Sequence, residues 1–226
     1  MMERSNINII GEGSSSGGQY GKVKVVGEAD FFGNMECEQF KITGEATVDG
    51  GLLAEEIKVT GTLQLKKKDA PQQGSAEPGI SGHETAEAAP GIRAETVKIT
   101  GELTVPGSCE AEEFKLRGQI NAGGVLSAEE IDIKLHGPSQ VREIGGAHIS
   151  VKAKTNIPFG NLLQMGAGSL QAALIEGDHI YLENTEAEHV RGIRVEIGPG
   201  CRIGSVEYRD SLEVDGRAEV ASQNRV

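Results

Sequence analysis

Apolar and polar residues alternate along most of the chain, in short segments that return at every seventeenth position. Gly27, Gly44 and Gly61 stand at this constant interval, and Gly101 and Gly118 repeat it. An apolar residue stands two positions and four positions before each of these glycines, and the residue between the two apolar positions is a lysine. This apolar–polar–apolar pattern is typical of a β-strand with one buried face.

The two apolar positions form columns of predicted core residues when the repeats are aligned on the glycine. The members are Val23, Val25, Phe40, Ile42, Ile57, Val59, Val97, Ile99, Phe114, Leu116, Ile131 and Ile133. Similar apolar pairs follow the glycine, so each repeat holds three short strands separated by glycine or polar corners. One repeat in extended conformation traces about 56 Å, which suits one lap around a small three-sided prism.

The repeat therefore predicts an all-β fold, a three-sided right-handed parallel β-helix with about 17 residues per coil. Each coil buries its apolar residues only when neighbouring coils stack above and below it. A left-handed hexapeptide β-helix carries one small aliphatic residue in every six. The paired inward residues on each face favour the right-handed form here.

The pattern also divides the chain. Coils are expected at 20–65 and 94–153, and irregular coils or a β cap at 154–220, with one short helix possible at 162–175. Residues 66–93 are rich in Pro, Gly, Ala and Glu and are expected to be a disordered insert. That segment could instead link two separate three-coil domains. Residues 1–19 and 221–226 are expected to be flexible tails.

Composition and charge narrow the range of functions. The net charge of -12 disfavours binding to nucleic acid, because an acidic surface repels phosphate groups. The three cysteines form no paired framework, as is usual in a reducing cytosol. The start of the chain has no apolar run long enough for a signal peptide, and no segment approaches the length of a membrane span. We therefore expect a cytoplasmic protein, which could lie at the inner face of the membrane.

Candidate chemistry is sparse. The five histidines show no spacing that would bring three metal ligands together. Cys37 and Cys109 fall at inward positions and are expected to act as small core residues, whereas Cys201 lies in a turn and could be exposed. The column of lysines and its companion column of glutamates are expected to be solvated surface. We predict no catalytic residue, no metal, no cofactor and no enzyme activity.

The repeats resemble those of a known family. The phrases KITGE, KVTGT and KLRGQ, in repeats of the form E-x-[FI]-K-[VI]-T-G, are similar to the bactofilins, bacterial polymer-forming cytoskeletal proteins. The resemblance covers about residues 20–150. It implies a right-handed β-helix that joins end to end into non-polar filaments without nucleotide. It also implies a scaffold for cell shape, envelope organisation or motility, with itself, other bactofilins, or envelope or motility proteins as partners and membrane association possible.

The ends of a solenoid favour assembly on physical grounds too. Each end exposes a row of unpaired backbone groups and an apolar core, which must be capped or paired. Candidate residues for the end contact are Val206, Tyr208, Leu212 and Val214. Two other functions stay open: a solenoid that does not polymerise and binds a partner through 66–93 or a tail, and an acyltransferase or zinc hydratase built on a β-helix.

Overall fold

The strands run parallel and stack in chain order. The computed structural model describes residues 4–67, 89–153 and 168–226. Within these ranges the chain forms one nine-stranded sheet in which each strand pairs with the next along the chain. The strands are β1 (Ile7–Val48), β2 (Leu52–Leu65), β3 (Ile92–Val105), β4 (Cys109–Leu135), β5 (Pro138–Ala153), β6 (Ser169–Leu182), β7 (Thr185–Ile197), β8 (Arg202–Val214) and β9 (Glu219–Arg225). This arrangement confirms the predicted parallel β-solenoid. The right-handed sense of the coil stays a prediction.

Like residues of successive coils lie directly above one another. Phe40 pairs with Ile57, Ile57 with Val97, and Val97 with Phe114 in the sheet register. The twelve residues of the two inward columns are each at most 2% exposed. They belong to one hydrophobic core that runs from β1 to β8. The constant interval of the repeat thus stacks side chains of one kind along the solenoid axis, where each coil covers the apolar residues of the last.

The glycine column marks a corner where two coils approach closely. Gly61 has a φ of 128°, a conformation that residues with a Cβ rarely adopt. A Cβ on Gly61 would also overlap the carbonyl oxygen of Gly44, which lies one coil earlier. The repeated glycine is therefore fixed by backbone conformation and by the spacing of the coils, and not by a need for flexibility.

The coils on either side of the insert belong to one solenoid. β2 and β3 pair from Leu52 with Ile92 to Gln64 with Thr104. Strand β3 begins at Ile92, whose side chain is 2% exposed, two residues before the expected return at Ala94. Residues 68–88, most of the predicted insert, lie outside the described residues.

The later coils vary in length but keep the same stacking. Ile131 pairs with Ile149, Ile180 with Val195, and Val195 with Leu212, so successive laps differ by up to three positions in length. The predicted helix at 162–175 is corrected here, because Ser169 onward forms β6, and 154–167 lie outside the described residues. Backbone pairing with β5 and β7 prevails over local helix propensity in this segment.

Both terminal segments differ from the expected flexible tails. Residues 7–19 belong to β1, and β9 occupies Glu219–Arg225. The Gly21 N–H donates to the Ser5 carbonyl, and the Lys22 N–H donates to Asn6 Oδ1, 2.9 and 2.8 Å away. The glycine- and serine-rich sequence suggested a flexible chain, but ladder hydrogen bonds depend on the backbone and therefore hold these residues as strand.

Two polar residues are accommodated inside the apolar core. Ser139 and Thr185 are 5% and 1% exposed. The Ile120 N–H donates to Ser139 Oγ at 3.1 Å, and the Thr185 hydroxyl donates to the Glu183 carbonyl at 3.0 Å. Each hydroxyl therefore has a partner that offsets its removal from water.

Candidate assembly surfaces

β9, the last strand of the described residues, covers only part of β8. β9 pairs with β8 from Arg202 opposite Glu219 to Tyr208 opposite Arg225. Within the described residues no strand covers the remaining part of β8, residues 209–214. We call this segment the open edge. The backbone groups of this segment that point away from β7 are available to another strand, as at any sheet edge, except the Arg209 carbonyl, which accepts from Arg225 Nε at 3.1 Å.

The four candidate end residues take different positions at this end. Val206 is 0% exposed, because Gln223 of β9 stacks over it. It therefore lies one coil below the surface and is corrected as a contact residue. Leu212 and Tyr208 are half-buried against the core, and Val214 is 38% exposed. Leu212 and Val214 continue the inward columns on the open edge, where their apolar side chains lack a covering coil among the described residues.

The amino-terminal coil is rich in glycine and serine, and it has apolar residues on either side of this segment. Ile7, Ile9 and Tyr20 are partly buried and pack against the core. The Tyr20 hydroxyl donates to the Ser16 carbonyl at 2.9 Å. A Cβ on Gly18 would lie within 3.8 Å of the Tyr20 ring, so this ring occupies space that the glycines leave free. This end also presents apolar groups that a second molecule could cover.

A ladder of lysines runs along one face of the first coils. Lys41, Lys58, Lys98 and Lys115 pair successively in the register, and Lys24 precedes them by one repeat. We call these five residues the lysine stripe. The side chain of Lys115 donates to Glu113, and Lys98 reaches the same carboxylate at 2.9 Å. Hydrogen bonds from Lys115 and Lys98 hold the pKa of Glu113 below its usual value.

A ladder of glutamates runs beside the lysine stripe at the preceding corner. Its members, which we call the glutamate stripe, are Glu38, Glu55, Glu95, Glu112 and Glu129. All five are exposed. The pairs Cys37–Ala54 and Gln39–Glu56 flank the first two members in register, so Glu38 and Glu55 lie one above the other. None of the five forms an ion pair within the part of the chain that the structure describes.

Histidines meet at a place that the sequence did not indicate. His148 and His179 are register partners, and their rings stack with centroids 5.0 Å apart at an angle of 6°. His189 Nδ1 lies 2.7 Å from Ser205 Oγ. The stack was missed because the separation of the two residues along the chain is not a multiple of the repeat interval. Over 4–67, 89–153 and 168–226, no group of three His, Cys, Asp or Glu side chains could hold a metal ion.

All three thiols lie in the core. Burial raises the pKa of Cys37 and of Cys109 to about 12, and it raises the pKa of Cys201 as well. Cys201 is 1% exposed, which corrects the expectation that its thiol could be exposed. The Cys201 thiol lies 3.3 Å from the Leu182 carbonyl, to which it donates. Its turn folds inward because Cys201 takes the same inward position as Thr185 one coil earlier.

Two further carboxylate contacts shape the last coils. Arg217 holds the pKa of Asp215 at about 2, through its side-chain and backbone hydrogen bonds at the final corner. The Tyr181 hydroxyl donates to Glu183 at 2.5 Å, and this bond raises the pKa of Tyr181 to about 12. Both contacts join residues two apart in the chain and so brace corners within a coil. Among the described residues, no helix is long and apolar enough to cross a bilayer.

The described residues therefore define a parallel β-solenoid with an uncovered edge at one end. Over 98 residues the chain is 43% identical to the uncharacterized protein YhbF of Bacillus subtilis strain 168, a match that covers 42% of this chain and 40% of YhbF. It is 41% identical over 98 residues to the uncharacterized protein YhbE of the same organism, covering 43% and 41%. The chain thus spans about two fifths of the length of these curated relatives. No protein-family profile and no solved structure matches the chain.

Proposed function

We propose that this chain is a structural scaffold of the bactofilin kind, whose solenoids join end to end into filaments without a nucleotide. The observation that carries the proposal is the open edge, residues 209–214, on which Leu212 and Val214 continue the core columns. In this proposal the chain has no catalytic role and no cofactor. It works in the cytoplasm or at the inner face of the membrane and supports cell shape, envelope organisation or motility.

The driving force is the burial of two kinds of group at once. Covering a Val or Leu side chain contributes about 1.5–3 kcal/mol, and each new backbone hydrogen bond contributes about 0.5–1.5 kcal/mol. Two identical ends that meet about a two-fold axis double these gains, since both copies present Leu212 and Val214. The sum can exceed the entropic cost of association, whose lower estimates are about 4 kcal/mol. No bound nucleotide is needed for a gain of this origin.

Like ends that meet in alternation give a filament without polarity. A two-fold contact at the carboxyl-terminal end closes on itself and leaves the amino-terminal ends facing outward. The apolar groups Ile7, Ile9 and Tyr20 at that end support a second like-end contact. Alternating the two contacts extends the assembly indefinitely, and a chain with only one such contact would stop at a dimer.

Electron microscopy of the purified protein without nucleotide tests the proposal. The wild type should form filaments, and Val214→Arg should abolish them, because it places a charge on the open edge. Leu53→Arg is the matched control: Leu53 is 44% exposed against 38% for Val214, but it lies on β2, away from both ends. The control should form filaments of normal length.

Two outcomes would count against the proposal. Wild-type protein that stays as uniform particles at all salt concentrations and pH values would leave a solenoid that binds another partner as the better explanation. Equal filament lengths for Val214→Arg and Leu53→Arg would show that the open edge is not the contact. Circular dichroism of both variants should match the wild type, because neither substituted side chain is buried in the core.

A further inference from the structure

The lysine stripe and the glutamate stripe each place like charges on successive coils. Coils stack about 4.8 Å apart, so neighbouring members of one stripe repel each other. Such repulsion is unfavourable in an isolated solenoid. It is relieved when the same stripe faces a row of opposite charges at the same spacing. The chain carries such a row itself, because four coils hold a member of each stripe: Glu38 with Lys41, Glu55 with Lys58, Glu95 with Lys98, and Glu112 with Lys115.

Charge pairs within the chain neutralise the lysine stripe only in part. Lys41 lies 3.3 Å from Glu56, and Lys98 lies 2.9 Å from Glu113. Glu56, the partner of Lys41, lies on the coil that follows Lys41. The residue equivalent to Glu56 is Thr96 on the coil that follows Lys58, and it is Gln39 on the coil that follows Lys24. In the described part of the chain, Lys24 and Lys58 accordingly form no ion pair, and both are exposed.

We propose that this striped face is a lateral docking surface for a second copy of the chain, with the two solenoid axes parallel. The inference concerns the side of the solenoid and stands whether or not the ends join. The lysine stripe of each copy lies against the glutamate stripe of the other. The contact is isologous, so it buries both stripes of both copies.

Symmetry selects the direction of the partner. A two-fold axis parallel to the solenoid axes places the lysine stripe of one copy opposite the glutamate stripe of the other. Corresponding coils of the two copies then lie at the same height along these axes. Four lysines then face four glutamates on both sides of the axis, while Lys24 faces Gly21 and Glu129 faces Asp132. A two-fold axis that reverses the partner places lysine against lysine and glutamate against glutamate, which like-charge repulsion disfavours. The face thus specifies parallel pairs and rejects antiparallel ones.

Disulfide trapping distinguishes the two directions. In the parallel pair, residue 58 of one copy faces residue 55 of the other at the same height. A mixture of Lys58→Cys and Glu55→Cys chains should form a disulfide between unlike chains under mild oxidation. Each variant alone should form none. The native thiols do not interfere, because Cys37, Cys109 and Cys201 are all buried.

Charge reversal tests the contact by affinity. Lys41→Glu with Lys58→Glu should weaken lateral pairing about tenfold or more in sedimentation equilibrium at low salt. Lys66→Glu with Lys67→Glu is the matched control, since it changes the net charge equally on exposed residues outside both stripes. Combining Lys41→Glu and Lys58→Glu with Glu38→Lys and Glu55→Lys should restore pairing. Raising the ionic strength from about 0.01 M to about 1 M should weaken the wild-type pair, because the Debye length falls from about 30 Å to about 3 Å.

Three results would overturn the proposal. Disulfides between like chains would show antiparallel pairing. Unchanged sedimentation of the Lys41→Glu, Lys58→Glu variant relative to its control would show that the stripes do not pair. The third result concerns vesicles of equal parts phosphatidylcholine and phosphatidylglycerol. If they bind the wild type but not the charge-reversed variant, and the variant still pairs laterally, then the lysine stripe is a membrane-binding surface. Filament length in microscopy reports the ends separately, so failure of the end contact and failure of the lateral contact can be told apart.

Discussion

Single glycines in this protein are fixed by the backbone of the neighbouring coil. Gly61 combines a positive φ with close approach to the Gly44 carbonyl, whereas a Cβ on Gly145 would meet nothing within 4 Å. We expect Gly61→Ala to lower the free energy of unfolding by at least about 3 kcal/mol, and Gly145→Ala by less than about 1 kcal/mol. Urea denaturation measures both. Equal losses would show that the corner tolerates a Cβ.

The thiols make a second prediction at the scale of the residue. Burial raises the pKa of Cys37 and Cys109 to about 12 from an ordinary value of 9.0, so the folded chain keeps their protons where the unfolded chain loses them. Stability from these groups is therefore fully present below about pH 9 and is lost as the pH rises toward 12. Urea midpoints measured across this range should fall, and replacing both cysteines by alanine should make the fall smaller.

The same burial predicts slow thiol chemistry. A thiol reagent should label none of the three cysteines quickly in the folded protein, and all three after denaturation, because the thiolate is the reactive form. Rapid labelling of one cysteine in the folded state would contradict the burial of that residue. Cys201 is the informative case, since the sequence left its exposure open and the structure makes it 1% exposed.

At the scale of the element, a strand is stabilised by the stack of side chains it joins. Phe114 is 0% exposed and lies in the column with Val97, whereas Phe32 is 58% exposed on β1. Phe114→Ala should cost about 3–5 kcal/mol through the cavity it leaves, and Phe32→Ala about 0.5 kcal/mol or less. Thermal denaturation of the pair measures the difference. Similar costs at both positions would show that the inward column is not the main source of stability.

The corner between β2 and β3 gives a prediction about chain length. Gly61 and Gly101 pair in the sheet register, yet the chain between them is longer than one repeat by the length of the segment 67–89. Deleting residues 67–89 would leave three residues between Leu65 and Ile92, as between Val48 and Leu52. We expect the shortened chain to fold, and its free energy of unfolding to rise by about 1 kcal/mol or more, because fewer residues then connect the two paired strands.

A slightly larger deletion is the control for that experiment. Removing 67–91 leaves only Lys66 between Leu65 and Ile92, which is too short for the corner, and should strongly destabilise the chain. Circular dichroism and thermal denaturation measure both variants. If the first deletion unfolds the protein as the second does, the insert contributes to the fold in a way that the coil register does not capture.

At the scale of the whole molecule, the ends and the striped face have different roles. The open edge offers unpaired backbone and the apolar residues Leu212 and Val214, and its contact should therefore depend little on salt. The lysine and glutamate stripes offer charged side chains, and their contact should depend strongly on salt. Raising the ionic strength should therefore reduce filament width, which depends on the lateral contact, and should change filament length little. Microscopy of one preparation can measure both.

Much of the fold could be predicted from the sequence because the repeat carries it. Two apolar columns at a fixed interval identify the buried side of each strand, and only parallel stacking keeps the members of one column on a common axis. The glycine column also identified one corner of each coil. A positive φ and the close approach of the neighbouring coil leave few alternatives to glycine at that corner. The candidate surfaces were less predictable. Their residues are ordinary exposed or half-buried side chains, and their position depends on which coil is last.

The sequence by itself determined the parallel solenoid, its interval and its inward columns, because these depend on a period that is visible along the chain. Only the tertiary structure decided that residues 7–19 and 219–225 are strands, that Cys201 points inward, that Val206 is covered and that His148 stacks on His179. Each of these depends on the coil above or below. Where laps vary in length or an insert intervenes, the neighbour in space can no longer be counted along the chain.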